Sequence, residues 1–335
     1  MTEKLGPTID SEIQPNFDQI AFDLETTLNG VVNLKASTSE QAFTASILGT
    51  ERQGYGVHIA DSGLILTIGY LVAEAEQIWI TTNSGQVIEG HTLAYDYETG
   101  FGLVQCLGEL DAPTIPLGNS KLIKENDDVI VAGAGGKATA ITAKIIARAE
   151  FAAYSEYVIE NAIFSAPSHP NWGGAALLNN AGEVCGIGSL FVNKIESDAM
   201  QREGNMIVPV ELLDERLQEL KLYGQTLSSP RPWLGMFASQ IDQDFEVVGL
   251  YNNGPAALGG LETGDVILEI NNIKANSLAN FFRNIWNIGS AGCEVPMKIM
   301  RNGSISEAII PVSYTHLRAN RDKRGSSFAA WWLKK

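Results

Sequence analysis

The sequence is poor in cysteine and has no long apolar run. Its three cysteines, Cys106, Cys185 and Cys293, lie far apart and form no CxxC or Cys/His cluster. We therefore expect neither a disulfide framework nor a metal site, and we predict that Cys106 and Cys185, in apolar strand-like runs, are small buried thiols. No run approaches the roughly 18 apolar residues of a membrane-spanning helix, so no membrane span is predicted. Nothing in the sequence indicates a cofactor.

Positive charge is scarce as well. The chain of 335 residues has 23 Lys and Arg against 39 Asp and Glu, a formal net charge of −16. A field of this sign repels phosphate groups, so we expect no nucleic-acid partner. The N-terminal residues contain no apolar core segment, so no signal peptide is visible. The chain as written is therefore expected to be cytoplasmic, or periplasmic if a leader precedes it.

Turn signals and apolar periodicity divide the chain into five parts. Many short strands separated by Gly, Asn, Asp and Ser turns are typical of an all-β sandwich or pair of barrels. Helical spacing then follows at 210–223, with Gly224 as the C-terminal cap. The predicted parts are an extension with a short amphipathic helix at 16–29 (1–30), a β-rich domain (31–209), a helix and linker (210–232), a second domain (233–313) and an unstructured or non-native tail (314–335).

Three stretches of the β-rich domain resemble the catalytic motifs of trypsin-like serine proteases of the HtrA/Deg type. Residues 171–187 follow the motif Asn-Ser-Gly-Gly-Pro-Leu and Gly-Glu-Val-Ile-Gly-Ile, with Trp172 in place of the nucleophilic serine. Residues 54–72 resemble the run that ends in Leu-Thr-Asn-Asn-His-Val-Val, with Tyr70 in place of the base. In the third motif, Asp-x-x-Thr-Asp-Leu-Ala, Gly100 replaces the orienting aspartate. The resemblance implies two six-stranded β-barrels.

None of these side chains can take over the family role. An indole offers no nucleophilic atom, and a phenol with a pKa near 10 is a poor base at neutral pH. Pro170, two residues before Trp172, also lacks the N–H that the resemblance implies as an oxyanion-hole donor. We therefore predict no catalytic residue in this chain and vacant triad positions at Tyr70, Gly100 and Trp172. Trp172 is interpreted either as an apolar plug of the old specificity cleft or as an exposed anchor for a partner.

Other serine and histidine residues leave a relocated hydrolase site as an alternative. Ser168 and His169 are neighbours whose side chains diverge, so ordinary loop polarity is the favoured interpretation for both. His58 falls inside a predicted strand and His91 at a strand end, where structural roles are expected.

The second domain resembles a PDZ domain. Arg-Pro-Trp-Leu-Gly-Met at 231–236 is similar to the carboxylate-binding loop, and 253–271 is similar to the longer run Gly-Leu-x-x-Gly-Asp-Val-Ile. The resemblance implies that a peptide binds as an added strand while backbone amides hold its terminal carboxylate. Residues 277–286 read as the groove helix, capped by Ser277. The expected peptide-binding residues are the amides of Leu234, Gly235 and Met236 and the helix side chains Phe281, Phe282 and Ile285.

These features favour a protease-like protein without catalysis that binds peptide C-termini or unfolded protein segments. Two alternatives stay open: a serine-type endopeptidase with residual or relocated activity, and a regulatory subunit that co-assembles with an active relative. A PDZ domain that serves only packing or assembly is also open. The resemblance further implies a homotrimer built through N-terminal aromatic contacts, for which Phe17 and Phe22 are the candidates.

Overall fold

The computed structural model describes residues 9–16, 20–197 and 200–312. These residues form two compact units. Of the described residues, the first unit holds those up to 150 together with 159–226, and the second holds 151–158 together with 227–312. The second unit thus contains a short segment that the chain order places in the middle of the β-rich domain.

Six antiparallel strands of the first unit close into a barrel in the order β1-β2-β3-β6-β5-β4. Their side chains alternate between the barrel interior and its outside, as half-buried strands require, and the interior is filled by residues such as Leu34, Leu66 and Phe101. The strands are β1 (Val31–Ser37), β2 (Glu51–Ala60), β3 (Leu64–Ile68), β4 (Gln77–Thr81), β5 (Val87–Tyr95) and β6 (Phe101–Cys106).

A second closed barrel in the same unit has the order β10-β11-β12-β9-β8-β7. The two six-stranded barrels confirm the all-β double-barrel prediction. The strands are β7 (Asp128–Ala132), β8 (Ala140–Ala153), β9 (Tyr157–Ala166), β10 (Ala176–Leu178), β11 (Val184–Ser197) and β12 (Met200–Pro209).

The helices of the first unit are short. Within the predicted helix at 16–29, the described residues form α1 (Leu24–Leu28), and the Asp23 side chain caps this helix by accepting a hydrogen bond from the Thr26 amide. Two further helices are α2 (Ala45–Leu48) and α3 (Leu217–Tyr223). Gly224 ends α3 in the left-handed conformation, as predicted. Phe17 and the tail 314–335 lie outside the described residues.

The second unit is a PDZ domain built on a five-stranded antiparallel sheet in chain order, so β13 is an edge strand. Ser277 caps the longest helix by accepting a hydrogen bond from the Asn280 amide. The strands are β13 (Met236–Ile241), β14 (Asp244–Leu250), β15 (Val266–Ile270), β16 (Glu294–Arg301) and β17 (Ser304–Pro311), and the helices are α4 (Pro255–Leu258) and α5 (Leu278–Trp286).

Cys106 and Cys185 are buried free thiols, and Cys293 is free and half-buried. Across the described ranges, no helix combines the length and the apolar character needed to cross a bilayer.

Candidate functional site

The positions of nucleophile and base are filled by two aromatic side chains that interact with each other. Tyr70 lies in a short 3-10 turn directly after β3, and its hydroxyl donates a hydrogen bond to the Ser189 carbonyl oxygen at 2.8 Å. Burial raises the pKa of the Tyr70 phenol above its ordinary value of 10, while a side-chain hydrogen bond with Trp172 acts in the opposite direction. The phenol therefore keeps its proton at neutral pH, and it donates that proton in its hydrogen bond to the Ser189 carbonyl oxygen.

Trp172 is half-buried and packs on its own chain. Its ring lies 5.6 Å from that of Phe191, measured between centroids, at an interplanar angle of 33°. Its backbone carbonyl accepts a hydrogen bond from the Ala175 amide, and the backbone of Gly188 passes so close that a Cβ there would lie 2.2 Å from the same carbonyl. The packing of the indole favours the plug over the exposed anchor.

Gly100, at the position of the orienting aspartate, has a backbone unsuited to a side chain. Its φ is +81°, its amide donates to the Asp96 carbonyl and its carbonyl accepts from the Gly69 amide at 2.7 Å. The nearby Asp96 carboxylate is not available as a substitute, because Thr99 donates to it and Arg216 pairs with it at 3.1 Å. Neither Gly100 nor Asp96 therefore offers a free carboxylate to the position of the base, Tyr70.

His169 is buried at 1% exposure, so its interpretation as ordinary loop polarity was wrong. Its amide donates to the Asn205 side-chain oxygen at 2.6 Å. Nε2 lies 2.9 Å from the Thr139 carbonyl, which can only accept, so Nε2 carries the ring proton. Nδ1 then accepts from the Asn171 amide at 3.1 Å, and burial lowers the ring pKa. Both ring nitrogens of His169 are therefore engaged in hydrogen bonds within the fold.

The two residues before Trp172 offer no free backbone donor. Pro170 has no N–H, and the amide of Asn171 donates to His169 Nδ1 at 3.1 Å. The family resemblance implies an oxyanion-hole donor at the first of these two positions.

Two further histidines, His58 and His91, are part of the β-structure. His58 lies inside β2, is 4% exposed and donates from Nδ1 to the Ala112 carbonyl at 2.9 Å, while His91 lies on the exposed side of β5. Within the described ranges, no three His, Cys, Asp or Glu side chains converge in a way that could hold a metal ion.

The PDZ loop brings the three predicted amides onto one carboxylate, which belongs to Glu156. Leu234 N–H donates to both carboxylate oxygens at 3.0 and 3.1 Å, Gly235 N–H to one at 2.7 Å and Met236 N–H to the same oxygen at 3.2 Å. Gly235 makes the turn with φ +70°, and a Cβ there would lie 2.8 Å from the Trp233 ring. The loop is therefore shaped for a carboxylate, and a side chain of the same chain fills it.

Glu156 was not among the residues predicted from the sequence. It lies in the turn between β8 and β9, is 9% exposed and has a φ of +58°. Burial raises the pKa of its carboxyl to about 7, against the lowering effect of the three amide donors. The sequence held no local signal for this contact, because its partners are more than 75 residues further along the chain.

The three predicted helix side chains lie in the PDZ core. Phe281, Phe282 and Ile285 are each at most 1% exposed. Phe281 stacks on Phe245 with centroids 4.7 Å apart, and Phe282 meets Phe281 edge-on. Their proposed role in peptide selectivity stays a prediction.

Comparison with known proteins matches both units. A trypsin-like peptidase domain model matches residues 54–187, and a PDZ domain model matches residues 232–312. The chain is 26% identical over 266 residues to serine endoprotease DegS of Haemophilus influenzae, covering 77% of this chain and 76% of that protein. It is 25% identical over 281 residues to a probable periplasmic serine endoprotease DegP-like of Pseudomonas savastanoi pv. phaseolicola, covering 78% of this chain.

The chain spans about half the length of such DegP-like relatives, 56% in that case. Among solved structures, an HtrA-type protease AlgW with decapeptide superposes with a TM-score of 0.50 at 21% identity, over 87% of this chain and 98% of that one. This superposition supports the fold. The paired domain matches and the DegS and DegP-like relatives together support an HtrA-type protein, with a trypsin-like domain followed by a PDZ domain.

Proposed function

We propose that this protein binds peptide C-termini or unfolded protein segments through its PDZ domain and does not hydrolyse peptide bonds. The observation that carries the proposal is the convergence of three backbone amides on a single carboxylate at the start of β13. Such a cluster of donors is the part of a PDZ domain that recognises the end of a peptide. The residues that would bind external ligands by this route are Leu234, Gly235 and Met236.

The barrel supports the second half of the proposal. Acyl transfer needs a nucleophile, a base, an acid that orients the base and donors for the oxyanion. The corresponding positions hold a packed indole, a protonated phenol, a glycine with left-handed backbone and a proline. These four losses are chemically independent, so no single substitution restores the reaction.

The edge strand supports the mode of binding. β13 pairs with β14 on one side only, so an extended peptide can add to its other side. The AlgW structure named above contains a decapeptide. A peptide is the kind of ligand that we propose for the present protein. The acidic composition adds an expectation that basic residues upstream in the peptide increase affinity at low salt. The DegP-like relatives are described as probable periplasmic enzymes. Of the cytoplasm and the periplasm, we therefore propose the periplasm for this protein.

The test is a calorimetric titration of the full chain with peptides that end in an apolar residue. We expect a Kd of about micromolar or weaker for the free acid, because a short added strand forms few hydrogen bonds. The same peptides with an amidated C-terminus should bind much more weakly. Equal binding of both forms would contradict a carboxylate reader and favour an assembly role. Labelling of the natural protein by a serine-directed fluorophosphonate probe would favour the relocated peptidase instead.

A further inference from the structure

The segment 151–158 lies on the PDZ domain in the way that a peptide ligand would. The Tyr154 carbonyl accepts a hydrogen bond from the Ala238 amide of β13 at 2.9 Å. Two residues further along, the Glu156 carboxylate accepts the three amides of the loop that precedes and begins β13. The segment thus forms one strand-type backbone hydrogen bond, and its Glu156 side chain makes the carboxylate contact that a peptide C-terminus would make.

The direction of the segment also matches an added strand. The chain advances from Tyr154 to Glu156 while its partners run backward from Ala238 to Gly235, so the two run antiparallel. The bond to Tyr154 uses the side of β13 that does not pair with β14, because β13 is the edge of its sheet. The segment therefore occupies the edge that an external peptide would use.

Apolar contacts hold the segment in place. Val158 is 8% exposed and belongs to the PDZ core cluster, and Ala152 packs against the same cluster. Glu156 itself has left-handed backbone, which is unfavourable for a residue of its kind and persists only when its surroundings fix it. A carboxylate in so buried a place requires compensating donors, and the three loop amides supply them.

We propose that segment 151–158 is a built-in ligand of the PDZ domain, in which the Glu156 side chain takes the place of a C-terminal carboxylate, and that external peptides bind by displacing it. The statement about external peptides rests on the function proposed above. The resting groove is then occupied, and the apparent affinity for a peptide is the intrinsic affinity multiplied by the fraction of molecules in which the segment is undocked.

Displacement would free the residues of the segment. Residues 154–156 form the turn between β8 and β9, and the segment also contains the end of β8 and the start of β9. A peptide that takes over the loop amides and the β13 edge releases this turn.

The test compares the natural full chain with Glu156→Gln. The glutamine keeps the size of the side chain, but it loses the charge, and one of its two terminal atoms becomes a donor that faces donating amides. Glu307→Gln on the exposed side of β17 is the matched control, because it makes the same change in charge within the same domain. The readouts are the amide NMR signal of Gly235 without peptide and the Kd of a free-acid peptide ending in an apolar residue.

We expect the Gly235 amide signal to move in Glu156→Gln and to stay in place in Glu307→Gln, and the peptide to bind at least about tenfold tighter to Glu156→Gln than to the other two proteins. An unchanged Gly235 signal with an unchanged Kd overturns the built-in ligand and leaves the proposed function standing. A moved signal with no peptide binding to any protein supports the built-in ligand and refutes the proposed function. Should Glu156→Gln fold poorly, Glu156→Asn tolerates the left-handed backbone and answers the same question.

Discussion

Replacing Trp172 by serine tests the chemistry of the barrel. The substitution Trp172→Ser restores the hydroxyl of the family motif, but Tyr70 still donates its proton to Ser189 and Gly100 still provides no carboxylate. We expect the variant to remain inactive.

The magnitude follows from what is left of the site. In serine proteases without their triad, the oxyanion hole and substrate binding still accelerate hydrolysis by about 10³–10⁴ over water. Loss of one oxyanion donor removes about 10²–10³ of this, and Pro170 has no N–H to donate. About tenfold over the uncatalysed rate remains, which is below detection in a protease assay. Loss of the half-buried indole should cost about 1–3 kcal/mol of stability.

The assay is cleavage of an unfolded casein substrate together with fluorophosphonate labelling, on Trp172→Ser and on the natural protein. Thermal unfolding of both proteins shows that the variant is folded. Neither protein should be labelled. Stoichiometric, inhibitor-sensitive labelling at position 172 would refute the reasoning, because it would require a base that the structure does not place beside this position. Addition of Gly100→Asp should lower stability further by about 1–2 kcal/mol, since φ is +81° there.

Three further predictions concern binding, assembly and stability. Gly235→Pro removes a donor and cannot adopt φ +70°, so peptide binding should disappear in the same titrations. Deletion of residues 1–29 should abolish self-association, as measured by light scattering. Tens of micromolar is a rough ceiling for the Kd of a specific interface, so a full-length protein that is monomeric at this concentration would contradict the trimer. Asn205→Ala leaves the buried His169 amide without its acceptor and should cost about 1–3 kcal/mol in urea unfolding.

The architecture followed from local patterns in the sequence. Short strands between turn residues indicated an all-β sandwich or pair of barrels. The family resemblance implied the two six-stranded barrels that the structure shows, and it predicts that Tyr70, Gly100 and Trp172 stand at the triad positions. Ser277 and Gly224 marked helix ends because capping depends on a few neighbouring residues. These features are local, so a single sequence contains them.

Contacts between distant residues could not be read in the same way. Glu156 looks like an ordinary polar turn residue, and only the folded chain brings it to the amides near Gly235. His169 looked like loop polarity because its partners Asn205 and Thr139 are about thirty or more residues away. Apolar spacing alone did not identify the helix start at Leu24, where the Asp23 side chain provides the cap.

The central claim is that the protein binds polypeptides without cutting them. The most direct test measures, for one unfolded polypeptide with an apolar C-terminus, both its retention by the protein and its intact mass. The natural full chain is incubated with it, the complex is isolated, and the polypeptide is analysed by intact mass. The account predicts that the polypeptide is retained at its full mass, and that amidation of its C-terminus strongly reduces retention. Fragments that disappear when a serine-directed inhibitor is added would contradict the account.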